Sequence, residues 1–172
     1  MNMNDVFLLD TNILIEPYKK FYSFRIAPGF WDFMQKEIVG GHLVVMDVIS
    51  KEISKGRDTL ADWLHATNIA SLERRSPDIL ACYAKVLNYV HESDAYNDRA
   101  LALWSEGNHA DPWIIAAAIA RSYTIITFEH PTSSLGTTPT SKPKIPDVCS
   151  AFNVRNINLY QFLDLRNFSF PR

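Results

Sequence analysis

Four carboxylates occupy places where they could do chemistry together. Asp10 closes the apolar run Val6 to Leu9, Glu52 lies in the segment VISKEI at 48–53, Asp111 precedes Pro112, and Glu129 lies two residues beyond the run TIIT at 124–127. Each has an ordinary use taken singly. Asp10 can cap a turn with Thr11 and Asn12, and Asp111 is a good helix N-cap. Glu52 can be a solvated helix charge paired with Lys51 or Lys55, and Glu129 a loop acid beside His130. Brought to one rim, four carboxylates would repel and raise one another's pKa unless a positive charge sat among them. A hard divalent cation such as Mg²⁺ or Mn²⁺ is the natural counter-charge, because it prefers oxygen ligands and keeps several waters. Such an ion can acidify a water and stabilise charge on a phosphodiester in line for displacement.

The surrounding elements must supply that rim. Val6–Leu9 reads as a buried strand, and the TNILIEP that follows allows about one helical turn before Pro17. A helix is expected over 28–39, stopped by Gly40–Gly41, and a strand over 42–46. Asp47 can cap a helix running to Lys55. Further helices are expected over 59–70, 77–91 and 96–106, and an apolar one opens at Asp111-Pro112 and runs to about Arg121. TIIT at 124–127 has the pattern of a central parallel strand. Residues 131–143 hold three prolines and seven Ser or Thr, which makes a loop. A short strand at 144–145, a helical turn from Pro146, a strand near Val154 and a helix over 158–166 complete the reading. Strands separated by helices imply right-handed crossovers and a parallel sheet covered on both faces. Ligands of such sheets bind beyond the carboxyl ends of the strands, where the four acids are expected.

The sequence resembles the PIN-domain family, and within it the VapC-like toxin ribonucleases of bacterial toxin–antitoxin pairs. The resemblance is carried by FLLDTNILI at 7–15, VISKEI at 48–53, ADPWIIAAAIA at 110–120 and IITFE at 125–129, in that order. It implies a three-layer α/β/α sandwich with a central parallel sheet over one domain, 1–172. It implies a metal-dependent endoribonuclease in which Asp10, Glu52, Asp111 and Glu129 form the catalytic and metal-holding quartet with Mg²⁺ or Mn²⁺. Asn12 and Thr127 would orient the carboxylates and waters from behind. A metal-activated water would cut the RNA, leaving a 5′-phosphate and a 3′-hydroxyl. A cognate antitoxin protein and a homodimer are the implied partners. Two departures stand out: Glu129 takes a place where many members have Asp, and the Ser/Thr/Pro-rich loop follows it. Asp147, after Pro146, reads as a helix cap rather than a further ligand. The competing reading is a catalytically silent PIN-like module that binds RNA or protein; all four acids are present, which argues against it.

Other chemistries fit less well. An aspartyl phosphatase needs a second acid two residues after Asp10, where Asn12 stands, and a receiver domain needs an acidic pair ahead of a central-strand Asp. The five histidines (His42, His65, His91, His109 and His130) show no ligand spacing, and read as surface or core residues. There is no glycine-rich phosphate loop. Two cysteines, Cys82 and Cys149, are too few for a disulfide framework or a cysteine zinc site. The start of the chain has no basic n-region, and the longest apolar run, 113–120, is far below the ~20 residues that span a bilayer. A soluble, cytoplasmic protein without membrane contact is the expectation. The 172 residues carry 17 bases against 19 acids, so bulk positive charge is not the means of gripping nucleic acid. The acids lie mostly in 1–111 (16 against 11 bases), while 112–172 carry 3 acids and 6 bases. Lys142, Lys144, Lys19, Lys20 and Arg25 are candidates for phosphate contact, each with solvated surface charge as its simpler use.

Overall fold

β1 (Phe7–Leu9) is apolar and buried at every position, which suits a strand with a covered sheet on both sides. In the computed structural model, which describes residues 5–68, 70–133 and 138–170, it lies inside a four-stranded sheet of order β2-β1-β3-β4. β2 spans Leu43–Val44, β3 Thr124–Ile126 and β4 Asn156–Ile157. All pairings are parallel, with Phe7 opposite Leu43 and Thr124, and Ile126 opposite both Leu9 and Ile157. Helices fill the crossovers and cover both faces, giving a three-layer α/β/α sandwich around one contiguous apolar core.

α1 (Asn12–Glu16) does not stop at Pro17. The chain continues through a π-helical turn, Pro17–Phe21, closed by the Tyr22 N–H on the Pro17 carbonyl at 2.7 Å. Proline is admitted there because the first residue of a turn has no use for its N–H. α2 spans Pro28–Val39, α3 Asp47–Ser54, α4 Thr59–Ala66, α5 Pro77–Glu92 and α6 Asp98–Trp104. α7 (Ala110–Arg121) buries eight of its twelve residues and packs along α5, so it is apolar nearly all round. It ends on Ser122 in the left-handed region (φ 57°). α8 (Ile145–Ala151) and α9 (Leu159–Leu165) follow, α9 opened by an Asn158/Gln161 capping box.

Several boundaries differ from the sequence expectation. α4 ends four residues early, where the Thr67 hydroxyl donates to the Trp63 carbonyl and Asn68 turns to φ 47°. The helix expected over 96–106 is confined to α6, capped by the Asn97 side chain on the Ala100 N–H. No strand forms at 144–145: Ile145 and Pro146 start α8, where proline suits the first turn. The last strand lies two residues later than Val154. Of the loop 131–143, residues 134–137 lie outside the described residues, and Thr140 bridges to Tyr96.

Candidate active site

The central strand pair delivers two of the four acids. The Asp10 N–H donates to the Ile126 carbonyl at 2.9 Å, extending the ladder one residue beyond β1. Its side chain is only 4 % exposed. The Thr127 hydroxyl donates to Asp10 Oδ2 at 2.9 Å and accepts the Glu129 N–H at 3.1 Å. One buried threonine therefore fixes both Asp10 and the backbone that carries Glu129. The Glu129 carboxylate accepts the N–H of Ile145, the first residue of α8, at 2.7 Å. An anion at a helix N-terminus meets an unpaired donor and the positive end of the helix dipole.

The other two acids come from helices. Asp111 lies in the first turn of α7, with His109, rather than Asp111, at the cap position. His109 Nε2 stands 3.2 Å from Asp111 Oδ2. Glu52, exposed on α3, accepts the Thr11 hydroxyl at 2.9 Å instead of pairing with Lys51 or Lys55. All four carboxylates line one cleft of about 360 Å³ at the carboxyl end of the sheet, together with Thr11, Asn12, His109 and the cations Lys51, Lys55 and Arg74.

The acids feel one another. Burial, and then the charge of Asp111, push the Asp10 carboxyl up to about 7, with Glu129 adding to the rise. The Thr127 hydroxyl and the Asn12 backbone N–H oppose it. Glu129 is raised as well, chiefly by burial and with a contribution from Asp111, against the Ile145 N–H and Lys144. His109 is raised by its hydrogen bond to Asp111, against its own burial. Among the described residues, no three His, Cys, Asp or Glu side chains are grouped as an ion would hold them. The four acids are held by separate protein donors (Thr127, Thr11, His109 and the Ile145 N–H). The chemistry of the set nevertheless fits a hard cation, since it is all-oxygen and carries more negative charge than its neighbours balance.

Asn12 and Thr127 both stand at the site, but Asn12 acts on Asp10 through its backbone N–H rather than through a described side-chain bond. Asp147 does not cap α8. Its Oδ1 accepts the Thr132 N–H at 2.9 Å, which ties down the loop after Glu129, and the cap position belongs to Lys144. Lys19, Lys20, Arg25 and Lys142 do not line the cleft, and Lys20 pairs with Glu16 at 3.1 Å. Sequence reading missed His109, Arg74 and the pair Lys51 and Lys55 as parts of the site. His109 lies two residues before Asp111, but Arg74 has no local signal. It is carried there by the bridge between Met46 and Leu72.

Residues 7–170 match the family described as a domain of unknown function (DUF4411), and the chain belongs to that family. Neither the curated proteins nor the solved structures contain a match to it.

Proposed function

We propose that this DUF4411 member is a metal-dependent endoribonuclease with a PIN-like active site, acting as the toxin of a toxin–antitoxin pair. The observation that carries the reading is the convergence of Asp10, Glu52, Asp111 and Glu129, from four different elements, on one cleft at the carboxyl end of a parallel sheet. Mutual repulsion among Asp10, Asp111 and Glu129 is a standing cost that a structural role does not require.

Asp10, Asp111 and Glu129 would hold Mg²⁺ or Mn²⁺, with Glu52 completing the pocket. When bound, such an ion supplies a more acidic water and charge stabilisation at the phosphodiester. The chain's own groups do the rest. Thr127 anchors Asp10 through Oδ2, and the Ile145 N–H anchors Glu129 through Oε2. Thr11 orients Glu52 through Oε2, leaving that exposed carboxylate free to take a proton from an attacking water at its other oxygen. Attack by water on phosphorus, with the P–O3′ bond breaking and the 3′ oxygen leaving with a proton, gives a 5′-phosphate and a 3′-hydroxyl.

No helix among the described residues is long and apolar enough to cross a membrane. Both cysteines are free and buried, which fits a reducing cytoplasm. A cognate antitoxin and a homodimer complete the proposal. The test is incubation of purified protein with total RNA, with and without Mn²⁺, followed by end-mapping. Metal-dependent cuts bearing 5′-phosphates are expected, and a cyclic-phosphate product would rule the mechanism out.

A further inference from the structure

The cleft has a second wall of opposite sign. Asp47, on α3, accepts Lys51 Nζ at 2.8 Å and the Arg74 backbone N–H at 3.2 Å, and stands 3.7 Å from Arg74 Nε. One carboxylate thus faces two cations, which leaves a surplus positive charge beside the acids. Arg74 is 7 % exposed and lies over the Trp113 ring at 5.7 Å, yet its buried Nη1 has no hydrogen-bond partner. Buried guanidinium donors are rarely left without acceptors. An incoming anion with several oxygens, of which a phosphate is the planar-fork partner of choice, supplies one.

Lys51 and Lys55 also line a second hollow, of about 600 Å³, on the neighbouring face of α3. Its walls are Ser50, Ser54 and Ser71 hydroxyls with Arg57 and His65, and its acids are Asp47 and Glu73. Lys51 on α3 and Lys55 at its C-cap, still helical in backbone, are one turn apart, a rise of about 6 Å. That is of the order of the step between successive phosphates along a strand. The two hollows therefore share a wall of lysines, with the catalytic acids at one end and Arg57 at the other.

The geometry points to a strand path: single-stranded RNA leaves the acidic cleft past Arg74, crosses α3 on Lys51 and Lys55, and enters the hollow at Arg57. This rests on the nuclease reading for the identity of the polyanion, and on the cation track itself for the route. Phosphate contacts set position and affinity without reading sequence, so the track fixes where the substrate lies rather than which bases are cut.

The test is fluorescence anisotropy of a labelled short oligouridylate in chelator, which withholds the metal that the proposed cleavage needs. Lys55→Ala combined with Arg57→Asn alters exposed side chains, and Asn tolerates the left-handed φ of 48° at position 57. The double variant is expected to bind about tenfold more weakly, and its plot of log affinity against log salt to lose about 1.4 from its slope. Its melting temperature should match wild type, since both side chains are exposed. Arg74→Lys keeps the charge opposite Asp47 but not the planar fork, and should bind about threefold more weakly. Unchanged RNA affinity in the double variant overturns the path, as does tight binding of an acidic peptide in place of RNA. A chain that loses RNA binding in the double variant, yet never cuts RNA with Mn²⁺, keeps the path and loses the nuclease reading instead.

Discussion

Asp10 is asked to be buried and to be charged, and the two demands oppose each other. Its carboxyl ordinarily titrates at 3.8 and is pushed up to about 7 in the folded chain. Between those values the folded state holds a proton that the unfolded state has released, so stability falls as pH rises. The penalty is complete above about pH 7 and has a ceiling of about 4 kcal/mol, three units at 1.36 kcal/mol each. The melting temperature in chelator is therefore expected to drop from pH 5 to pH 8. Asp10→Asn should flatten that profile and melt higher than wild type at pH 8, while losing all Mn²⁺-dependent cleavage. Scanning calorimetry at the two pH values decides it: identical wild-type and variant profiles would remove Asp10 from the centre of the acid cluster. Thr127 provides the complementary case. Thr127→Val removes the donor to Asp10 and leaves the Glu129 N–H without its acceptor, at a cost of about 1–3 kcal/mol. Urea unfolding should show that loss, and Thr127→Ser should restore most of it.

Among the elements, α7 shows how a helix serves a site by being immobile. Its eight buried residues fix the first turn, and with it Asp111. Ala117 is fully buried, so Ala117→Leu is expected to destabilise by about 1–3 kcal/mol through overpacking, measurable by thermal melt. At the other end of the molecule, Arg166 donates to Glu37 at 2.7 Å and ties the end of α9 to α2. Among the described residues, Arg166→Ala leaves the buried Glu37 carboxylate with only His42 Nδ1, at 3.6 Å, and should cost about 2–3 kcal/mol in urea unfolding. The parts of the fold legible in sequence were those whose burial writes a pattern: FLL and TII as apolar runs, α7 as an alanine-rich one. β4 was displaced because Asn156–Ile157 carries no run, and α8 was misread as a strand start because Lys144-Ile145 looks extended until Pro146 is placed in a first turn. The acids were legible because strand ends in a parallel sheet are where ligands bind. Arg74 and His109 were not, since a tertiary bridge and a turn ahead of α7 bring them in.

For the molecule as a whole, a formal charge of −2 conceals a cleft with carboxylates on one wall and cations on the other. A divalent ion would shift that balance locally and also bind only the folded state. Mn²⁺ at a hundred times its dissociation constant should stabilise wild type by about 2.7 kcal/mol, and Asp10→Asn by none; equal thermal shifts in both would place any bound ion elsewhere. The pairing that builds the site has one more consequence, and it concerns time. The hydrogen bond from Thr127 to Asp10 joins residues 117 apart, and β1 has no strand neighbour on that side until β3 exists. Long-range parallel pairing is slow to form, because its loop must close before any contact rewards it. A ribosome making this chain therefore leaves Asp10 without its Thr127 donor through most of synthesis. The acid cluster is assembled only after Thr127 has emerged, so on the nuclease proposal the unfinished polypeptide carries no assembled cutting centre.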